Sequence, residues 1–245
     1  MDLQPGQNFS ISQHSLAPAA VEILLDWTPA DTPLTLDASA FALTTQGKVR
    51  GDGDLIFYNQ LELAGGGIRR AEDGRAFTVR FAALPAAIER IVIALTIDQG
   101  QRRGQSFGQL SQVRANIRAA DGKTVLASFP LATKMMPETA LIVGELYRRN
   151  GEWKFRAVGQ GFVGGLGAIV GVAVSLHSQR LASLAFSVGL ALTVPLTSGF
   201  GAAGMAALAL ALLLAISVSV AVRYDSERIV ANHDRRRADN LATRL

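Results

Sequence analysis

The chain predicts a mainly β domain of sandwich or barrel type, followed by a helical transmembrane hairpin. Three features carry that reading. Short apolar runs rich in β-branched and aromatic residues alternate with turn sequences from Val21 to about Phe129. Two further runs flank Asn150-Gly151, a dipeptide suited to a tight hairpin turn. From Leu181 to Val222 no residue is ionisable, a stretch far longer than a soluble core helix needs.

Taken in order, the expected strands are VEILLDW (21–27), LTLDASAFAL (34–43), DLIFYNQLEL (54–63), FTVRFAAL (77–84), IERIVIALTI (88–97) and TVLASFPL (124–131). The sequences TPADTP, QGKVRGDGD, AGGG and ADGK punctuate them, with glycine, proline and aspartate where the chain must reverse. FGQLSQVRANIR (107–118) alternates loosely and reads as a strand after a polar loop at Asp98 to Gln105. TALIVGELYRR (139–149) and EWKFRAVGQG (152–161) form the hairpin about Asn150-Gly151.

The ionisable-free stretch divides at Pro195, Ser198, Gly199 and Gly201 into two spans, about 181–197 and 203–222. Each approaches the roughly 20 residues that cross a bilayer. Arg180 precedes the pair, and Arg223, Arg228 and Arg235 to Arg237 follow it. Basic flanks at both outer ends predict that the domain and the 223–245 tail face the cytoplasm from the inner (cell) membrane. A single span with an interfacial first half is the competing topology. Small residues, among them Gly189, Ala191, Gly204 and Ala207, permit close helix packing within the hairpin or in a homo-oligomer.

Composition excludes several functions. Without cysteine there is no disulfide framework, thiolate nucleophile or cysteine-ligated metal. The net charge of +4 comes mostly from dispersed arginines, not interleaved with aromatics, so nucleic acid is not an expected partner. The N-terminal MDLQPGQNFSIS has neither a basic start nor an apolar run, and a cleavable secretory signal is not expected. His14, His177 and His233 lie in unrelated segments without metal-ligand spacing. Gly159 to Gly164 satisfies G-x-G-x-x-G, but no second strand or acidic residue follows as a dinucleotide site requires, so these glycines read as turns leaving the last strand. No catalytic constellation is present, and the expectation is a non-enzymatic protein. Carboxylates at strand ends and in glycine-containing loops (Asp31, Asp37, Asp52, Asp54, Glu72, Asp73) are the remaining chemistry.

LQPGQNFSI, Trp27, LDASAFAL, DLIFYNQ, ERIVIALTID, SFGQLSQVRANIR and ETALIVGELYRRNGEWKFRAVGQGFVGGL together resemble the TerD family, the calcium-binding β-sandwich proteins of tellurite- and stress-resistance operons. The resemblance covers about residues 1–170. It implies a two-sheet sandwich whose loops bind calcium, and a role in tellurite or chemical stress resistance without an enzymatic reaction. Carried over singly, Asp37 matches the second aspartate of the family's D-x-D-A-S motif, Asp54 the aspartate before the F-V-F-Y-N run, and Asp73 that of its G-D-N motif. For Asp73 the match holds if Ile68 and Arg70 align with the preceding valine and histidine. Thr35 replaces the first aspartate, Glu72 and Gly74 replace the glycine and asparagine, and the acidic stretch that should follow is missing. The implied calcium binding is accordingly weakened or confined to one site. The expected protein is a membrane-anchored interaction module working with other stress-resistance membrane-associated proteins. The alternative is a membrane transport or export component that oligomerises through its hairpin.

Overall fold

In the computed structural model, residues 1–14, 18–167 and 169 are described. Met1–Ile169 form one compact unit. The expected spans at 181–197 and 203–222 and the tail at 223–245 lie outside the described residues. Among the described residues no helix is long and apolar enough to cross a membrane.

Eleven strands make the unit: β1 (Asn8–Ser10), β2 (Ala20–Thr28), β3 (Leu36–Thr44), β4 (Leu55–Ile56), β5 (Ile68–Arg70), β6 (Ala76–Arg80), β7 (Ile88–Ile97), β8 (Gln112–Ala119), β9 (Val125–Ala132), β10 (Ala140–Arg149) and β11 (Glu152–Phe162). They build a six-stranded sheet in the order β1-β11-β10-β7-β3-β4 and a five-stranded sheet in the order β5-β6-β2-β8-β9. Every pairing within the two sheets is antiparallel. Side chains from both sheets meet in one core, so the mainly β, two-sheet expectation holds.

Period-two alternation explains the five-stranded sheet. Val21, Ile23 and Leu25 of β2 and Val113, Ala115 and Ile117 of β8 are buried. Between them Glu22, Asp26, Arg114, Asn116 and Arg118 stand on the opposite face, where Asn116 Nδ2 donates to Asp26 Oδ2 at 2.9 Å and Ser128 Oγ to Asn116 Oδ1 at 2.7 Å. In the inner strands β3, β7 and β10 of the six-stranded sheet the alternation gives way to continuous burial: β7 is buried at every position from Ile91 to Ile97, and its sequence there is almost wholly apolar.

The β10–β11 hairpin turns on Asn150 and Gly151, both with positive φ (54° and 80°), the paired left-handed geometry of the tightest hairpins. Its register runs from Arg149↔Glu152 to Gly144↔Ala157 and then shifts before Ile142↔Gln160. Between these pairs Val158 and Gly159 of β11 stand opposite the single Val143 of β10, a one-residue bulge in which Gly159 takes φ +68°. Here the structure corrects the sequence reading: Gly159 and Gly161 lie inside β11, which continues to Phe162, and are not turns leaving it. Two other runs are shorter than expected. DLIFYNQLEL yields only β4, because the chain reverses at once through mutual backbone hydrogen bonds of Phe57 and Gln60 (3.0 and 3.1 Å). FTVRFAAL leaves the sheet at Phe81, where a 3-10 turn begins. Conversely, β1 and β5, three residues each, were not expected.

Gly144 sits where a methyl group would lie 2.4 Å from Phe155 Cζ and 2.9 Å from the Arg156 carbonyl oxygen. Gly144→Ala is therefore expected to lower the unfolding free energy by about 1–3 kcal/mol. Gly53→Ala, at a position with nothing within 4 Å, should change it by less than about 0.5 kcal/mol. Urea unfolding followed by tryptophan fluorescence checks both, and equal effects would contradict the packing described.

Candidate functional site

Asp37 is the second residue of β3 and pairs with Thr96 of β7, whose hydroxyl donates to the Asp37 carbonyl at 3.2 Å. Its side chain meets Arg70, the last residue of β5. Along β5, Ile68 and Arg70 are buried and Arg69 is exposed, so alternation itself turns the arginine inward. Arg70 is 7% exposed. Its Nη2 donates to Asp37 Oδ1 at 2.9 Å and its Nε to the Ala38 carbonyl at 3.1 Å. One guanidinium thus joins β5 of the five-stranded sheet to β3 of the six-stranded sheet.

The turn after β5 makes room for it. Ala71 N–H bonds the Ala76 carbonyl at 2.8 Å, and Gly74 N–H bonds the Ala71 carbonyl at 3.0 Å. Gly74 adopts φ +75°, and a Cβ there would stand 2.4 Å from Arg70 Nη2 and 3.0 Å from its Cζ. Glycine is required twice over, by the left-handed backbone and by the guanidinium pressed against it. Asp73 is exposed, and its Oδ1 accepts from the Arg75 backbone N–H at 2.9 Å, closing the turn. Arg75 in turn lies over the Trp27 ring, 4.2 Å from its centroid.

Asp54 is held elsewhere, at the end of the short 3-10 turn Asp52–Asp54 before β4, and is 3% exposed. Arg50 grips it with both arms: Nη2 to Oδ1 at 2.6 Å and Nε to Oδ2 at 2.9 Å, with the Arg50 backbone N–H adding a bond to Oδ2 at 2.7 Å. Hydrogen bonding to the Asp54 carboxylate raises the Arg50 guanidinium above its ordinary pKa. Gln60 Nε2 ties the same loop by donating to the Gly53 and Leu55 carbonyls at 2.9 and 2.8 Å.

The three aspartates singled out as metal ligands are engaged separately, Asp37 by Arg70, Asp54 by Arg50 and Asp73 by its own turn. Among the described residues no group of three or more His, Asp or Glu side chains is arranged to hold a metal ion. Calcium takes six to eight oxygens. Asp37 gives an oxygen to Arg70, Asp54 gives both of its oxygens to Arg50, and Asp73 caps its own turn, so this donor set does not fit a calcium ion. Sequence reasoning missed the arginines. The signals were there: Arg70 stands two residues after Ile68 on the same strand face, and Arg50 lies four residues before Asp54.

A second buried carboxylate, Glu145 of β10, is 7% exposed on the six-stranded sheet. It lies between Arg156 of β11, at 3.1 Å, and Arg90 of β7, at 3.5 Å. Arg156 also donates to Asn8 Oδ1 (3.2 Å), which accepts from the Tyr147 hydroxyl at 3.0 Å as well. This network ties β1, β7, β10 and β11 together, and its groups are spent on one another.

The TerD domain model matches residues 1–172. The tellurium resistance protein TerD of Serratia marcescens is 39% identical over 181 residues, covering 69% of this chain and 94% of that protein. General stress protein 16U of Bacillus subtilis (strain 168) is 35% identical over 182 residues, with the same coverage of 69% and 94%. A crystal structure of a homologue of the telluride resistance protein TerD from Streptomyces coelicolor A3(2) is 21% identical, covers 65% of this chain and 98% of its own, and superposes with a TM-score of 0.48.

Removing the Asp54 carboxylate strands a guanidinium that is 40% exposed, so solvent screens much of the loss. Asp54→Ala should lower the unfolding free energy by about 1–2 kcal/mol. Thermal unfolding in calcium and in chelator checks this, and a deficit confined to the calcium sample would show that Asp54 serves a metal after all.

Proposed function

Because the chain belongs to the TerD domain family of tellurium-resistance and stress-response proteins, we propose that it is a non-enzymatic stress-resistance module held at the cytoplasmic face of the inner membrane. The observation that carries this reading is the union, in one chain, of a TerD domain ending near residue 172 with an ionisable-free stretch from Leu181 to Val222. Residues 181–197 and 203–222 act as the anchoring hairpin, and basic residues on both outer flanks keep the domain and tail on the cytoplasmic side.

The domain works by presenting a surface. Its buried ionisable groups are committed to structural pairs: Asp37 with Arg70, Asp54 with Arg50, and Glu145 with Arg90 and Arg156. The outer face of the five-stranded sheet offers a regular array of half-buried polar side chains, including Glu22, Asp26, Arg114 and Arg118. Such a surface suits reversible contacts with other proteins, since its polar groups are accessible on a rigid frame. Tethering raises its effective concentration toward partners already at the membrane.

The membrane reading is tested on the full chain by alkaline carbonate extraction of cell membranes. The unaltered protein is expected in the pellet. Leu210→Arg with Leu213→Arg, each costing roughly 2.5–3.5 kcal/mol at a span centre, should release it or prevent its accumulation there. Extraction of the unaltered chain into the supernatant would overturn the anchor.

A further inference from the structure

We infer that the Arg70 guanidinium supplies beside Asp37 the positive charge that the family resemblance would give to a calcium ion, and that as a covalently attached cation it joins β5 of one sheet to β3 of the other. Four observations converge on this. Arg70 is buried and crosses between sheets, from the end of β5 to the start of β3. The oxygens it holds, one from the Asp37 carboxylate at 2.9 Å and one from the Ala38 carbonyl at 3.1 Å, are the hard donors a calcium ion would seek. Its space is created by Gly74, the residue that stands where the family's motif has asparagine, and a Cβ there would fall 2.4 Å from Nη2. Asp73, the remaining carboxylate of that motif, is turned to its own backbone, accepting from the Arg75 N–H.

Charge balance links these facts. A divalent ion in a protein interior needs several anionic ligands, whereas a guanidinium carries one charge and one carboxylate neutralises it. Asp37 is that carboxylate. Thr35 in place of the first aspartate and the lack of an acidic stretch between Gly74 and Phe77 then cost nothing, because further carboxylates would exceed the single positive charge available. A planar fork also fits the geometry better than an ammonium would, since it reaches a side-chain oxygen and a backbone oxygen at once. Gly74 and Arg70 therefore act as one device: enlarging residue 74 expels the cation, and removing the cation deprives Asp37 of its buried positive partner.

The test is thermal unfolding of the full chain in detergent, read by tryptophan fluorescence, in millimolar calcium and in chelator. The unaltered protein is expected to give the same Tm in both, because a ligand that bound only the folded state would raise it. Arg70→Gln should lower Tm by roughly 10 °C in either condition. Combining Arg70→Gln with Asp37→Asn should cost less than the two single losses added together, since two neutral amides replace a broken charge pair. If Arg70→Gln does not fold, the calcium response of the unaltered chain and the Asp37→Asn variant still decide. A Tm of the unaltered protein that climbs with calcium overturns the inference. So does an Arg70→Gln variant as stable in chelator as the unaltered chain.

Discussion

A one-residue slip of β11 against β10 would carry Lys154 and Arg156 into the core and Trp153, Phe155 and Ala157 out of it, and the rest of the sandwich is organised around that prohibition. The alternation of β11 makes register all-or-none. Asn150 and Gly151 set it from one end with a turn that has no slack. At the other end the bulge at Gly159 absorbs the mismatch between Ile142↔Gln160 and Gly144↔Ala157, so the strand continues to Phe162 without reversing the faces of the preceding residues. β10 then presents Leu141, Val143 and Leu146 to the core and places Glu145 opposite Arg156, which is where the register acquires its electrostatic lock.

That lock illustrates how charge is managed throughout the domain. Glu145, Asp54 and Arg70 are each less than a tenth exposed, and each has an oppositely charged partner. Burying an ion pair contributes little net stability, because desolvation offsets most of the attraction, but breaking one leaves a buried charge that costs several times more. These pairs consequently act as specificity devices. Arg70 can be satisfied only when β5 and β3 face one another at the observed offset, and Glu145 only when β7, β10 and β11 are in register. The pairs report correct assembly of the sheets, while the apolar core supplies the driving force.

Period-two patterning was enough to read β2, β3 and β7 to β11 from the amino acids, because each is long and either alternates or is apolar throughout. β1 and β5 were invisible for the opposite reason: three residues carry less than two periods, and their pairing is decided by the partner strands β11 and β6. The G-x-G-x-x-G segment misled because a glycine at positive φ serves a bulge as well as a turn, and only the register of β10 distinguishes them. The site was half legible. Motif matching found the acidic residues, and the departures at Thr35, Glu72 and Gly74 already spoke against a full calcium set. What it could not supply was the inward direction of Arg70, which follows from the short strand it ends, or the fact that Asp54 and Asp37 serve different arginines. The expected membrane spans lie beyond the described residues, and their legibility rests on the ionisable-free composition of 181–222 alone.

The exchange of a metal for an arginine changes what kind of module the domain is. A bound ion couples loop order to its concentration, since each occupied site stabilises the folded loops by mass action. A guanidinium carried on β5 is always present at full occupancy, so the joint between the sheets is as constant as the covalent chain. With Gly74 shaped to it and Asp37 sufficient to neutralise it, the loops around Ala71 to Ala76 are ordered by internal hydrogen bonds and not by a cation drawn from solution. Control must then enter elsewhere. For the membrane-anchored module proposed above, the variable left to set its activity is where the domain is held and which partners share that surface.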